Sequence, residues 1–150
     1  MISKELNIGR AGQYLTLVDL LSKGIQAFDT AEGVSFDVVA EHNGKLIRLQ
    51  VKATQKMRVI REGANPIYFF HIKRAGKNGA RFYDKNDFDA FALVALDRRE
   101  VYYLKFDENI KANSICIRDK KVEYKAQAMG GTKNGLYLQD LTWENLCKKL

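Results

Sequence analysis

Asp37, Gln50 and Lys52 stand in the pattern D-x12-Q-x-K. Each brings a distinct chemistry. An aspartate carboxylate is a ligand for a hard divalent cation. A glutamine amide offers a neutral carbonyl oxygen with the reach of a glutamate. A lysine carries positive charge on a flexible stem, able to orient or deprotonate water or to offset charge on a phosphate. Brought together, the three make a magnesium site suited to hydrolysis of a phosphodiester bond. The competing reading is a solvated hairpin face, because one side of a surface hairpin is ordinarily polar.

Whether the three meet depends on the segment that carries them, VSFDVVAEHNGKLIRLQVKAT, from Val34 to Thr54. Asn43-Gly44 between two alternating runs is a type I′ hairpin signal. Pairing His42 with Lys45 sets Glu41 opposite Leu46, Val39 opposite Arg48 and Asp37 opposite Gln50. The period of two then puts Asp37, Gln50 and Lys52 on one face. Phe36, Val38, Ala40, Ile47, Leu49, Val51 and Ala53 line the other, which must pack on the core.

The remaining elements surround this hairpin. GRAGQYLTLVDLLSKG predicts a helix, with Ala11, Tyr14, Leu15, Val18 and Leu21 at helical spacing and Gly24 as its stop. Gly9 and Gly12 permit close approach of another backbone. IQAF at 25–28 is a short strand. Residues 55–65 form a basic, irregular loop, and a strand resumes from Ile67 to Ile72. FALVAL at 91–96 reads as a central strand and VYYLKF at 101–106 as its hairpin partner. SICIR at 114–118 reads as an edge strand. QAMGGTKNG at 127–135 is a loop with no phosphate-cradle pattern around Gly130-Gly131. The chain ends in a helix carrying Trp143 as a packing residue. Cys116 and Cys147 suit small buried hydrophobes better than a disulfide, and no CxxC pair suggests zinc. Helix, mixed strands and helix over 150 residues give one α/β domain spanning 1–150.

Charge narrows the partner. Between Lys45 and Arg81 stand ten basic residues and one acid, Glu62, a window of +9 in a chain whose net charge is +7. The rest therefore carries −2. Such concentration suits a polyanion. Lys56, Arg58, Arg61, Lys73, Arg74, Lys77 and Arg81 are candidate DNA-binding residues, tracking the backbone or entering a groove. Arg48, on the catalytic face, is a candidate phosphate contact, and Tyr68 is a further candidate. Each is equally at home on a solvated surface. His71 suits a structural role better than that of a base. No apolar run reaches the roughly 20 residues of a membrane span, and the N-terminus lacks an apolar signal core. A cytoplasmic location and no membrane partner are the expectation.

These pieces resemble the PD-(D/E)xK nucleases, the restriction-endonuclease-like superfamily. They look most like its small bacterial branch that includes intron-encoded homing endonucleases. The resemblance rests on GRAGQYLTLVDLLSKG, FDVVAEHNGKLIRLQVKAT and NDFDAFALVALDRREVYYL, within about the first 106 residues. It implies a restriction-endonuclease-like core, a mixed central β-sheet flanked by helices. It implies a Mg2+ cofactor, with Mn2+ able to replace it, held by Asp37 and by Gln50 at the motif's D/E position. Lys52 would be the motif lysine. Gln13 stands where the family often places an acidic ligand on the first helix. Two carboxylates would thus be amides, leaving Asp37 as the sole anionic ligand. Such a site should bind its metal firmly only with DNA present, the phosphate supplying anionic oxygen. Glu41, two residues along the strand, and Glu5, before the helix, are candidate helpers.

Four functions fit. The first is a site-specific Mg2+-dependent endonuclease for double-stranded DNA, of homing or restriction type. The second is a Holliday-junction-resolvase-like nuclease, and the third a catalytically impaired DNA-binding protein. The fourth is a structural domain with a basic face. Cutting both strands needs two active sites, hence a homodimer or homotetramer.

Overall fold

Asn43 and Gly44 adopt φ values of 51° and 77°, the left-handed region that a type I′ turn requires of both central residues. They join β2 (Val38–His42) to β3 (Lys45–Thr54). His42 pairs with Lys45, Glu41 with Leu46 and Val39 with Arg48, the expected register. The computed structural model describes residues 3–72, 82–107, 113–122 and 135–150. In it this hairpin is the middle of a five-stranded mixed sheet. β1 (Ala27–Asp29) lies antiparallel outside β2. β5 (Ala90–Ala95) lies parallel to β3 and antiparallel to β6 (Glu100–Lys105), so the strand order is β1-β2-β3-β5-β6. A second, three-stranded sheet has the order β4-β7-β8, with β4 (Tyr68–His71), β7 (Ser114–Arg118) and β8 (Leu136–Tyr137). The expectation that SICIR is an edge strand is overturned. β7 is the middle strand, hydrogen-bonded to β4 on one side and β8 on the other.

All six residues of β5 are buried, as a strand covered on both faces requires. Ala90, Ala92 and Val94 join Val38, Ala40, Ile47, Leu49 and Val51 under the helices. Phe91, Leu93 and Ala95 pack against Tyr68, Phe70, Ile115 and Ile117 of the second sheet. The hairpin's apolar face therefore reaches the core as expected, except that Phe36 packs with the second-sheet cluster. Among the described residues, both α-helices pack on one face of the central sheet. α1 (Lys4–Ser22) and α2 (Trp143–Cys147) share the first cluster through Leu20, Trp143 and Leu146.

α1 begins earlier than the glycine pattern suggests. Ser3 caps it by accepting from the Leu6 N–H at 3.3 Å, a contact that satisfies one otherwise unpaired helix-terminal donor. Gly24, at φ 78°, follows its end as expected. The buried line is Gly12, Thr16 and Leu20. Tyr14, Val18 and Leu21, expected on the core face, are instead about half exposed. The reason is steric. A Cβ at Gly12 would lie 2.7 Å from the Ala53 Cβ, so the missing side chain decides where the helix touches β3. Glycine costs a helix interior about 1 kcal/mol relative to alanine, here offset by the close packing it permits. Thr16 can sit buried because its hydroxyl donates to the Gly12 carbonyl at 2.9 Å. Nothing lies within 4 Å of a Cβ built at Gly9, so only the second glycine serves the approach.

Cys116 is exposed and Cys147 half-buried, both as free thiols, so the expectation of buried cysteines fails for Cys116. It faces outward on β7, between buried Ile115 and Ile117. Among the described residues no helix is long and apolar enough to cross a membrane.

Candidate active site

Asp37 sits one residue before β2 and keeps the hairpin's pairing by other means. Its N–H donates to the Leu49 carbonyl at 2.8 Å. Its carboxylate Oδ2 accepts from the Gln50 Nε2 at 2.8 Å and from the Val51 main-chain N–H at 2.9 Å. Asp37 and Gln50 thus meet side chain to side chain, as the register anticipates. Two consequences follow for metal chemistry. Asp37 Oδ1 makes no hydrogen bond among the described residues. Gln50, having turned its NH2 toward Asp37, keeps its carbonyl oxygen available. An all-oxygen pair of this kind fits a hard divalent cation. Among the described residues no group of three or more His, Cys, Asp or Glu could hold a metal.

Burial is the main influence on Asp37 and raises its carboxyl pKa above the ordinary 3.8. The Val51 N–H and the charge of Lys52 pull the other way. Desolvation disfavours the anion unless a cation joins it.

Gln13 reaches the same corner from α1. Its Nε2 donates to the Asp37 main-chain carbonyl at 3.3 Å, which also accepts from the Thr30 N–H at 3.1 Å. The side chain therefore neighbours Asp37, though through the backbone rather than the carboxylate. Lys52 projects from the same face of β3 as Gln50, and its Nζ donates to the Tyr83 hydroxyl at 3.0 Å.

Arg48, a candidate phosphate contact, is bound within the protein. Its Nε and Nη2 donate to the Asp89 carboxylate at 3.2 and 3.0 Å, and its Nη1 donates to the Asn86 carbonyl at 2.8 Å. Nη2 also meets the Lys85 carbonyl at 3.3 Å. Four of its five N–H donors are thus engaged within the protein, and a second Nη1 N–H is left for another acceptor. Arg48 clamps β3 to the turn that leads into β5.

Other candidates sort by position. Lys56, Arg58 and Arg61 are exposed on the loop after β3. The Arg58 guanidinium lies 3.9 Å over the Phe69 ring. Tyr68 is fully buried and its hydroxyl donates to both Asp97 oxygens at 3.0 Å, so it is a core residue. His71 is exposed, with its ring edge-on to Phe69. Glu41 is held in the hairpin turn, where it accepts from the Gly44 N–H at 2.8 Å. Glu5 lies in the first turn of α1. Lys73, Arg74, Lys77 and Arg81, and Gly130-Gly131, lie outside the described residues. Sequence reasoning missed two residues at the site, Tyr83 and Asp89. DKNDFDA, at 84–90, reads as a polar turn or a single helical turn, and no spacing rule links Tyr83 or Asp89 to β3 across 31 and 41 residues.

Comparison with known proteins agrees with this geometry. No curated protein matches the sequence. Among solved structures, that of a bacterial homing endonuclease, I-Ssp6803I, shares the fold with a TM-score of 0.62 at 20% identity, over 85% of this chain and 88% of that one. The family model described as PD-(D/E)XK endonuclease matches residues 5–130, a span holding α1, the Asp37–Gln50–Lys52 hairpin and the β5–β6 pair. By that match the chain belongs to the PD-(D/E)XK endonuclease family.

Proposed function

We propose that this protein is a site-specific, Mg2+-dependent endonuclease of double-stranded DNA, acting as a homodimer or homotetramer. The observation that carries the reading is the convergence on one strand pair of the Asp37 carboxylate, the Gln50 amide 2.8 Å from it and the Lys52 ammonium. A bound divalent cation supplies Lewis-acid stabilisation of the scissile phosphate and a more acidic water. Asp37 Oδ1 and the Gln50 carbonyl oxygen would hold it. Val51 and Gln50 keep the carboxylate oriented through Oδ2. Lys52 places a fixed positive charge where negative charge develops on the phosphoryl oxygens, a preorganised form of transition-state stabilisation. Exposed Lys56, Arg58 and Arg61 extend this positive surface along the DNA backbone, where such contacts position rather than specify. Mn2+ has the same preference for oxygen ligands and would replace Mg2+. Two copies are needed because one site cuts one strand.

Incubation with Mg2+ and either a random duplex library or a four-way junction, followed by end mapping, tests the reading. One cut locus in duplex is expected. Cleavage of the junction alone would instead make the protein a structure-specific resolvase. Retention without cleavage would make it an impaired binder.

The single carboxylate also predicts weak metal binding by the free protein, since cation affinity follows the charge of the ligand set. Gln13→Glu adds an anion beside Asp37 and removes the donor to its main-chain carbonyl. Isothermal titration should show Mg2+ binding tightened by about tenfold or more, equivalent to about 1.4 kcal/mol. Without metal, the same variant should unfold at lower urea than wild type. Unchanged Mg2+ affinity would place residue 13 beyond the metal's reach.

A further inference from the structure

Tyr83 has no place in the D-x12-Q-x-K pattern, yet its hydroxyl is the hydrogen-bond partner of Lys52 among the described residues. The ring is firmly seated. It meets Phe88 edge-on at 4.9 Å and Phe91 at 6.2 Å, and Phe88 and Phe91 are fully buried. Phe91 is also the register partner of Gln50 on β5, as Leu93 is of Lys52. Tyr83 is therefore anchored on the strand next to the motif, with its hydroxyl turned back to the lysine. The ammonium also lies 5.3 Å from the Tyr83 ring centroid.

From this geometry we infer that Tyr83 is a positioning residue for Lys52 in the cleavage reaction. The inference rests on the catalytic reading of Lys52 given above. A lysine stem has four carbons and free rotors, so fixing it costs side-chain entropy. A charge that must stand at one point in the transition state acts best when that ordering is complete before the substrate arrives. The partner's chemistry matters as much as its place. A carboxylate there would hold the ammonium but neutralise it. A phenol accepts the hydrogen bond and leaves the full positive charge for the phosphate. Lys52 keeps two further N–H donors for substrate oxygens.

Tyr83→Phe removes the hydroxyl and keeps the ring against Phe88 and Phe91. On the duplex recovered from the library, single-turnover cleavage with Mg2+ should slow about tenfold, in the range found when a residue orienting a functional group is lost. DNA affinity, measured with Ca2+ in place of Mg2+, should stay within about twofold. Cleavage at the wild-type rate, or weakened DNA binding with an unchanged rate, overturns the inference. Lys52→Ala assayed alongside separates the two claims. If that variant cuts normally, the catalytic reading of Lys52 fails. If it is inactive while Tyr83→Phe is unaffected, only the positioning role fails. Nitrogen-15 relaxation of the Lys52 ammonium in the wild-type protein decides the matter without any variant. Restricted motion is expected, and mobility equal to that of exposed Lys56 overturns it.

Discussion

Lys52→Ala should lower single-turnover DNA cleavage by at least about 10^3-fold, or about 4 kcal/mol of transition-state stabilisation. DNA binding should weaken only a few-fold. The two readouts separate because of where the side chain stands. Lys52 is one cation in a window of ten basic residues, so the encounter with a polyanion scarcely depends on it. Lys52 stands close enough to Asp37 for its charge to pull that carboxyl's pKa down against the effect of burial, which places it beside the group proposed to hold the metal. The fold should tolerate the change. Lys52 is only partly buried and its ammonium makes one hydrogen bond among the described residues, to Tyr83, and a half-buried phenol left without that donor can turn to water. The check is cleavage under enzyme excess together with binding in Ca2+. A variant that cut at the wild-type rate would falsify the assignment of Lys52.

Asp37→Asn should abolish Mg2+ binding and cleavage while making the metal-free protein more stable at neutral pH. The first effect follows from charge. Asp37 is the only carboxylate placed in the proposed site among the described residues, and an amide there would leave neutral oxygens alone to hold a divalent ion. Loss of cleavage by about 10^3-fold or more is expected. The second effect follows from burial. Desolvation raises the Asp37 pKa above 3.8, so the folded state favours the protonated form. For a carboxyl raised in this direction, its contribution to stability is fully present below the unfolded value and is lost as pH rises through the folded one. At pH 7 the ionised group therefore opposes folding. Asparagine is neutral and can still accept from Gln50 and Val51. The urea midpoint of the variant should exceed that of wild type at pH 7, and the advantage should shrink below pH 3.8. A lower midpoint at pH 7 with Mg2+ binding intact would refute both parts. Such a pattern is expected where a site is tuned for chemistry at some cost in stability.

The exposed stripe on α1 and the clamp at Arg48 show where a local pattern misleads. Leu6, Tyr14, Val18 and Leu21 lie on the outer face of α1, although apolar spacing alone would turn several of them inward. At Gly12 a side-chain Cβ would lie 2.7 Å from the Ala53 Cβ, so its absence is what lets this face of the helix lie close along β3. Arg48 has the residue type of a phosphate contact, and only the folded chain shows that most of its donors go to Asp89, Asn86 and Lys85. Both cases concern which partner a side chain finds, not whether its element exists.

Asn43-Gly44 and the alternation around it were enough to set the hairpin register, and with it the meeting of Asp37 and Gln50. That is a local matter, since a two-residue turn leaves one pairing and the period of two assigns the faces. The all-apolar run of β5 and the basic window were equally legible, because composition and period need no distant partner. The sequence by itself thus determined the core hairpin, its register and the meeting of Asp37 with Gln50. Tertiary structure alone decided that β7 is a middle strand, that both helices share one face, that Gln13 touches the Asp37 backbone and that Tyr83 holds Lys52. Each of these joins segments far apart in the chain, and no spacing rule acts across such distances. They are settled by which surfaces exclude water together, a property of the packed chain and not of any stretch of it.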